Sequence, residues 1–260
     1  MEINKNYNEN CLDTMSKMND DFLDLTVTSP PYDNLRTYNG YSFDFESIAK
    51  ELYRVTKEGG VVVWVIGDGT KNGSESGSSF RQALYFMECG FKLHDTMIWN
   101  KPDAKPLTHK RYEQSFEYMF VFCKGKISIF NGIKDKSNKW AGAKEHGTYR
   151  HLDGTTIRKS GHNKKIISDF GLRHNTWSIN TVKTRKYNHP AKFPEQLAND
   201  HILSWSNEGD LVYDCFMGSG TTAKMSILNK RNWIGSEMSS EYCEIIRERI
   251  AEQPQTSLGF

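Results

Sequence analysis

The chain has 260 residues, 37% of them hydrophobic, 12% aromatic and 25% charged, with a formal net charge of +2. That is enough apolar material for one sizeable core, or for a large domain carrying an inserted lobe. No run of 18 or more apolar residues occurs, and the polar start Met1–Asn6 is unlike a secretory signal, so a cytoplasmic protein without a membrane span is expected. Cys11, Cys89, Cys123, Cys215 and Cys243 are scattered and lack any Cys-x-x-Cys spacing. They read as reduced thiols, with no metal site.

The small net charge hides an asymmetry. Between Lys126 and Lys192 stand 15 Lys and Arg against four acids, while the remainder holds 19 bases and 28 acids. An acidic body carrying a basic segment points to a polyanionic partner. A lysine-rich solvated loop is the plainer alternative.

In chain order, residues 2–11 contain a short alternating stretch that suits a strand, and Leu12–Met18 suits a brief helix. Leu23–Thr28 reads as a buried strand, stopped by Ser29-Pro30-Pro31-Tyr32. Neither proline has an N–H for a ladder, and each holds the residue before it extended. The result is a stiff corner at the carboxyl end of a strand, where open α/β sheets bind ligands. A hydroxyl, carbonyls outside the ladder and one aromatic ring suit a planar ring that bears an amine.

The loop Asp33–Tyr41 carries Asn34, Arg36, Tyr38, Asn39 and Tyr41, and suits a cover over a base, a grip on a phosphate or an ordinary connection. Phe45–Thr56 has helical spacing, and Val61–Ile66 reads as a strand buried on both faces. The glycine- and serine-rich stretch from Gly67 to Ser79 reads as a mobile loop, a lid or a simple connection. Phe80–Cys89 follows as a helix; Leu93–Asn100 and Glu117–Cys123 are two strands with no helix between them. That predicts an antiparallel hairpin at one edge of a doubly wound, mostly parallel sheet. From Lys124 to Tyr187 the periodicity is lost, and a small irregular basic lobe is expected rather than sixty residues of loop.

A helix with Leu197, Ile202 and Leu203 leads into a strand, Asp210–Asp214, then a turn with Gly218-Ser219-Gly220, then a helix to Asn229. Gly218 and Gly220 let the backbone approach a ligand closely. The next strand, Asn232–Ser236, delivers Glu237, an acid placed to accept both hydroxyls of a ribose. The glycine turn alone equally suits a nicotinamide-dependent oxidoreductase. It lacks Gly-Lys-Ser/Thr, which argues against a P-loop nucleotidase.

Thr28-Ser29-Pro30-Pro31-Tyr32 resembles the catalytic motif of DNA amino-methyltransferases, and its serine form looks most like the cytosine-N4 enzymes. Trp99-Asn100-Lys101-Pro102, Glu117, His189-Pro190-Ala191-Lys192-Phe193-Pro194 and the Asp214–Gly220 turn are similar to further landmarks of that family. With the catalytic motif first, the basic lobe second and the cofactor turn last, the order resembles the permuted β arrangement, from about Tyr7 to Arg249. The resemblance implies a Rossmann-like fold, S-adenosylmethionine as cofactor, and double-stranded DNA as partner, with a cognate restriction endonuclease left open. It implies three segments of this fold: a catalytic half (1–124), a target-recognition lobe (125–187) and a cofactor half (188–252), before a tail (253–260).

Ser29, Pro30, Pro31 and Tyr32 are then the catalytic set. Asn10, Thr28, Phe193, Asp214, Phe216, Gly218, Ser219, Gly220, Thr221 and Glu237 fall on the cofactor side, with Asp214 placed to hold the cofactor's ammonium. Family members show an acid where Asn10 stands, so its contact with the adenine is the point of departure. No Pro-Cys dipeptide occurs, which argues against carbon-5 methylation through a covalent cysteine. Adenine N6 is the alternative target. An RNA or protein methyltransferase and a non-catalytic DNA-binding module are the other readings.

Overall fold

The computed structural model describes residues 1–31, 43–104, 110–144, 148–158, 165–182 and 193–252. In chain order the elements are β1 (Lys5–Tyr7), α1 (Cys11–Ser16), β2 (Leu23–Thr28), α2 (Phe45–Val55), β3 (Thr56–Ile66), β4 (Thr70–Lys71), β5 (Ser74–Glu75), α3 (Ser78–Glu88), β6 (Lys92–Asn100) and β7 (Phe116–Cys123). Then come β8 (Lys134–Ser137), β9 (Thr148–Arg150), β10 (Thr156–Arg158), β11 (Phe170–Leu172), β12 (Thr176–Ser178), α4 (Glu195–Trp205), β13 (Leu211–Asp214), α5 (Thr221–Leu228), β14 (Asn232–Ser236) and α6 (Ser240–Ala251).

Eight strands form one sheet in the order β1-β14-β13-β2-β3-β7-β6-β12. All neighbours are parallel except β3 with β7 and β7 with β6, so the antiparallel hairpin is present. A three-residue strand, β12, adds to β6 in parallel and forms the outer edge. Its Trp177 is buried and its flanks are polar, a stretch too short to show a period. The chain leaves β2 toward β3 and leaves β13 toward β14, so the order reverses between β13 and β2. That reversal opens the crevice in which open α/β sheets place ligands.

The central strand β3 explains the layering. Val62, Trp64 and Ile66 point into a core shared with Met15, Ile48, Leu52 and Phe86 of the first three helices. Val61, Val63 and Val65 point the other way, into a core with Leu197, Ile202 and Trp205 of α4. A run buried on both faces is what a parallel sheet covered on two sides requires. His201 lies in the second core, fully buried, with its ring 4.5 Å from that of Trp177 and its Nδ1 accepting from Trp205 Nε1 at 3.3 Å. Burial pushes its pKa down to about 3, so it stays neutral and serves packing rather than proton transfer.

The loop after β3, read as a mobile loop, a lid or a simple connection, contains short-range structure. β4 and β5 pair as a small hairpin, and Asp68 accepts hydrogen bonds from Ser76 Oγ at 2.9 Å, from Ser79 N at 3.0 Å and from Ser79 Oγ. One carboxylate thus ties both ends of the serine-rich segment to the entry of α3.

Contacts divide the chain into two compact units: Met1–Asn131 with Asn175–Phe260, and Gly132–His174. Residues 175–182 run along the main sheet, where β12 pairs with β6 and Ile179 N donates to the Asn100 carbonyl at 3.0 Å. The second unit contains two antiparallel pairs, β8 with β11 and β9 with β10. Within residues 132–174 stand ten Lys and Arg against four acids.

Candidate functional site

Three strand ends build the site. β2 delivers Thr28 and the Ser29-Pro30-Pro31 corner. Its neighbour β13 delivers Asp214 and the glycine turn, and β14 beyond it delivers Glu237. Ser29 and Pro31 are partly exposed and Pro30 is buried. Tyr32, the loop Asp33–Tyr41 and His189–Lys192 lie outside the described residues.

Asp214 joins the first two strand ends. Its Oδ1 accepts from Thr28 Oγ1 at 2.6 Å and from Phe216 N at 3.0 Å, and its Oδ2 accepts from Thr222 Oγ1 at 2.7 Å. The residue is only 6% exposed, and burial raises its pKa against the pull of these hydrogen bonds. The structure thus places Asp214 beneath the turn, with three of about four acceptor positions filled by the protein itself.

The turn follows from its glycines. Gly218 and Gly220 adopt φ of 52° and 79°, the left-handed region that a Cβ disfavours. A Cβ on Gly220 would also meet Ile246 Cγ1 of α6 at 3.1 Å. Gly220 is the N-cap of α5, whose first-turn backbone N–H groups have no partner within the helix. Phe216 packs edge-on against Phe43 and Trp64, at 5.8 and 6.1 Å between centroids, and remains partly exposed.

Glu237 is braced from two sides. Its Oε2 accepts from Gly218 N and its Oε1 from Ser239 N, both at 2.8 Å. Each oxygen keeps a second lone pair, so the carboxylate can still receive two hydroxyls. Burial raises its pKa. Asn10 caps α1 instead of standing free: its Oδ1 accepts from Leu12 N at 2.9 Å. An asparagine at an N-cap is accounted for by helix geometry alone. Phe193 lies just before α4 and meets the start of α5, its carbonyl accepting from Thr221 Oγ1 at 3.3 Å.

Arg249 of α6 is a site residue that no motif pointed to. Its Nη1 donates to the Ser219 carbonyl at 2.9 Å, to Ser219 Oγ at 3.1 Å and to Thr221 Oγ1 at 3.0 Å; its Nη2 reaches Glu195 at 2.6 Å. Arg249, buried on α6, therefore braces the glycine turn through its guanidinium. The available signal was its spacing from the buried Cys243 and Ile246, which puts an arginine on the inward face of α6. At the other side of the sheet, Lys101 pairs with Glu117 and stands 4.5 Å over the Trp99 ring. Trp99 Nε1 donates to the Ile179 carbonyl at 2.7 Å, which holds the path after β12 against β6.

No cluster that could hold a metal ion occurs among the described residues. The donor set suits an adenosyl group: an acid with lone pairs for a vicinal diol, a glycine turn without side chains, and a partly exposed aromatic ring beside it.

A DNA methylase family model matches residues 23–248. The chain is 59% identical over 236 residues to the orphan methyltransferase M.BamHII of Bacillus amyloliquefaciens, covering 88% of each protein. It is 27% identical over 275 residues to the type II methyltransferase M.SmaI of Serratia marcescens, covering 90% of this chain and 86% of that one. Among solved structures it resembles the PvuII DNA methyltransferase, described as cytosine-N4-specific, with a TM-score of 0.71 and 20% identity over 97% of this chain and 87% of that one. It also resembles the Thermus thermophilus protein TTHA0409, solved in complex with S-adenosyl-L-methionine, with a TM-score of 0.63 and 20% identity over 95% and 94% of the two chains. At such identities the likeness to the structures is one of fold.

Proposed function

The chain belongs to the DNA methylase family whose model spans its residues 23–248, and from that premise we propose that it transfers a methyl group from S-adenosylmethionine to the exocyclic N4 of cytosine in double-stranded DNA. The observation that carries this reading is the joining of two strand ends. The Ser29-Pro30-Pro31 corner and the glycine turn lie on adjacent parallel strands, and Thr28 touches Asp214 directly at 2.6 Å. A group held on the turn and an amine held at the corner would then meet in the crevice between them.

The cofactor supplies an electrophilic methyl on a sulfonium. Glu237 holds the ribose hydroxyls, Gly218 to Thr221 and Phe216 surround the rest, and Asn10 and Phe193 border the site. The target cytosine leaves the stack to reach the corner, at a cost of a few kcal/mol. Ser29 Oγ and the Pro30 carbonyl accept the amine hydrogens, which turns the nitrogen lone pair toward the methyl carbon. The nitrogen–carbon bond forms as the carbon–sulfur bond breaks, and one amine proton is lost to solvent. Positioning and charge neutralisation do most of this work, and no metal is required.

Serine in the Ser-Pro-Pro corner, together with the N4-specific description of the PvuII enzyme, favours cytosine N4 over adenine N6. Nucleosides from DNA of cells expressing the protein should contain N4-methylcytosine by mass spectrometry. N6-methyladenine alone would move the target base and leave the geometry standing. The relative named an orphan favours an enzyme that works without a cognate endonuclease. Five free cysteines accord with action in the cytoplasm.

The Gly132–His174 unit is the candidate for reading DNA. Lys134, Lys136, Lys139 and Lys144 are all exposed on it. Replacing Lys136 and Lys139 together by alanine should flatten the dependence of log K on log salt by about one unit per lost phosphate contact. Affinity for S-adenosylhomocysteine should be unaltered. A salt slope equal to that of the wild type would assign these lysines to a solvated surface.

A further inference from the structure

We infer that Asp214 is a positioning residue that ties the catalytic corner to the cofactor turn, and that it does not itself contact the cofactor. The inference rests on the functional reading above and deepens it. β2 and β13 pair at Val212 with Leu25 and at Tyr213 with Thr26, and their ladder ends there. Beyond it the two strands follow different neighbours. β2 stays with β3 as far as Thr28 opposite Trp64, and β13 stays with β14 as far as Asp214 opposite Gly235. The sheet is open where the chemistry takes place, so no backbone hydrogen bond of that ladder sets the distance between corner and turn.

The Asp214 carboxylate spans this opening. One oxygen receives Thr28 Oγ1 from the corner side at 2.6 Å and Phe216 N from the turn side at 3.0 Å. The other receives Thr222 Oγ1 from the first turn of α5 at 2.7 Å. Thr222 Oγ1 is also 3.4 Å from the Val27 carbonyl, one residue before Thr28, which gives that hydroxyl a second acceptor on β2. Thr28, Thr222 and Asp214 are 1%, 2% and 6% exposed, so this is a dry, short network. Charge-assisted hydrogen bonds of this length are stiff and directional. An ammonium would need an accessible oxygen with a vacant direction, and Asp214 offers little of either. A displacement of about 1 Å between reacting groups can cost a hundredfold in rate, which is what such a tie prevents.

Calorimetry with S-adenosylhomocysteine and single-turnover methylation of DNA separate the roles. Thr28→Val keeps the shape and removes the donor. It should bind S-adenosylhomocysteine within about threefold of the wild type and methylate at least about tenfold more slowly. Thr28→Ser restores the hydroxyl and should recover most of the rate. Asp214→Asn keeps an acceptor for Thr28 and Phe216 and should also bind within about threefold, because Thr222 Oγ1 can accept from the new amide. Thr222→Val repeats the test from the other oxygen if Thr28→Val does not fold. A tenfold or greater loss of binding in Asp214→Asn, with Thr28→Val as fast as the wild type, would make Asp214 a direct cofactor contact. Equal losses of binding and rate in Thr28→Val would leave only a scaffold role. A wild-type protein that binds S-adenosylhomocysteine but methylates no DNA would overturn the functional reading, and the tie with it.

Discussion

Tyr32→Ala is expected to lower methylation by roughly ten- to a hundredfold, with cofactor affinity retained. Tyr32 directly follows Pro30 and Pro31, whose fixed φ and missing N–H groups keep the corner before it out of the ladder. We propose a pose in which Tyr32, the last residue of the catalytic motif, supplies the face on which the flipped cytosine stacks. Base–aromatic stacking is worth about 1–3 kcal/mol, and each 1.36 kcal/mol is about a factor of ten in rate. Tyr32→Phe keeps the face and should keep much of the activity, since the hydroxyl has no part in the pose. Ser29→Ala should reduce turnover through the amine instead, again without loosening the cofactor. Single-turnover rates beside calorimetric affinities check all three variants. A Tyr32→Ala enzyme as fast as the wild type would remove the ring from the base site.

How much of this was legible in the sequence depended on the range of the interactions. β14 occupies the expected Asn232–Ser236, and β13, the glycine turn and α5 follow as read, since continuous apolar runs and left-handed glycines are local signals. The antiparallel hairpin was legible for the same reason. β12 was not, because three residues between polar flanks carry no period. The hairpin and the Asp68 hydrogen bonds between Gly67 and Ser79 were not legible, because two-residue strands carry no period and hydrogen bonds leave no trace in hydropathy. The Asp214 tie is the extreme case: Thr28 lies 186 residues away in the chain, so only the strand order brings the two together. The acid was visible in the sequence and read as a cofactor ligand; the tie inferred above is a different task for it, and the Thr28 and Asp214 variants decide between the two. Asn10 stood out as a departure from the family pattern, and its capping of α1 gives that amide a structural reason to be there.

Glu237→Ala should weaken binding of S-adenosylhomocysteine by about 1.5–3 kcal/mol, the worth of hydrogen bonds to a charged group, or roughly ten- to 150-fold in dissociation constant. The loss has two sources. The carboxylate no longer receives the ribose hydroxyls, and Gly218 N and Ser239 N lose their 2.8 Å acceptor, so the turn itself is less well held. Glu237→Gln does not spare the site. Whichever way the amide lies, its NH2 would face a backbone N–H, donor against donor, at one of those two positions. A glutamine enzyme should therefore bind more weakly than the wild type, though better than the alanine one. Burial raises the Glu237 pKa, and only the carboxylate form offers acceptors to both hydroxyls. Affinity should then fall as the pH drops through that raised pKa, and the fall should vanish in Glu237→Ala. Isothermal titration across pH measures both effects. Binding that is insensitive to Glu237→Ala, or tight binding of NADH in place of S-adenosylhomocysteine, would take the cofactor assignment down.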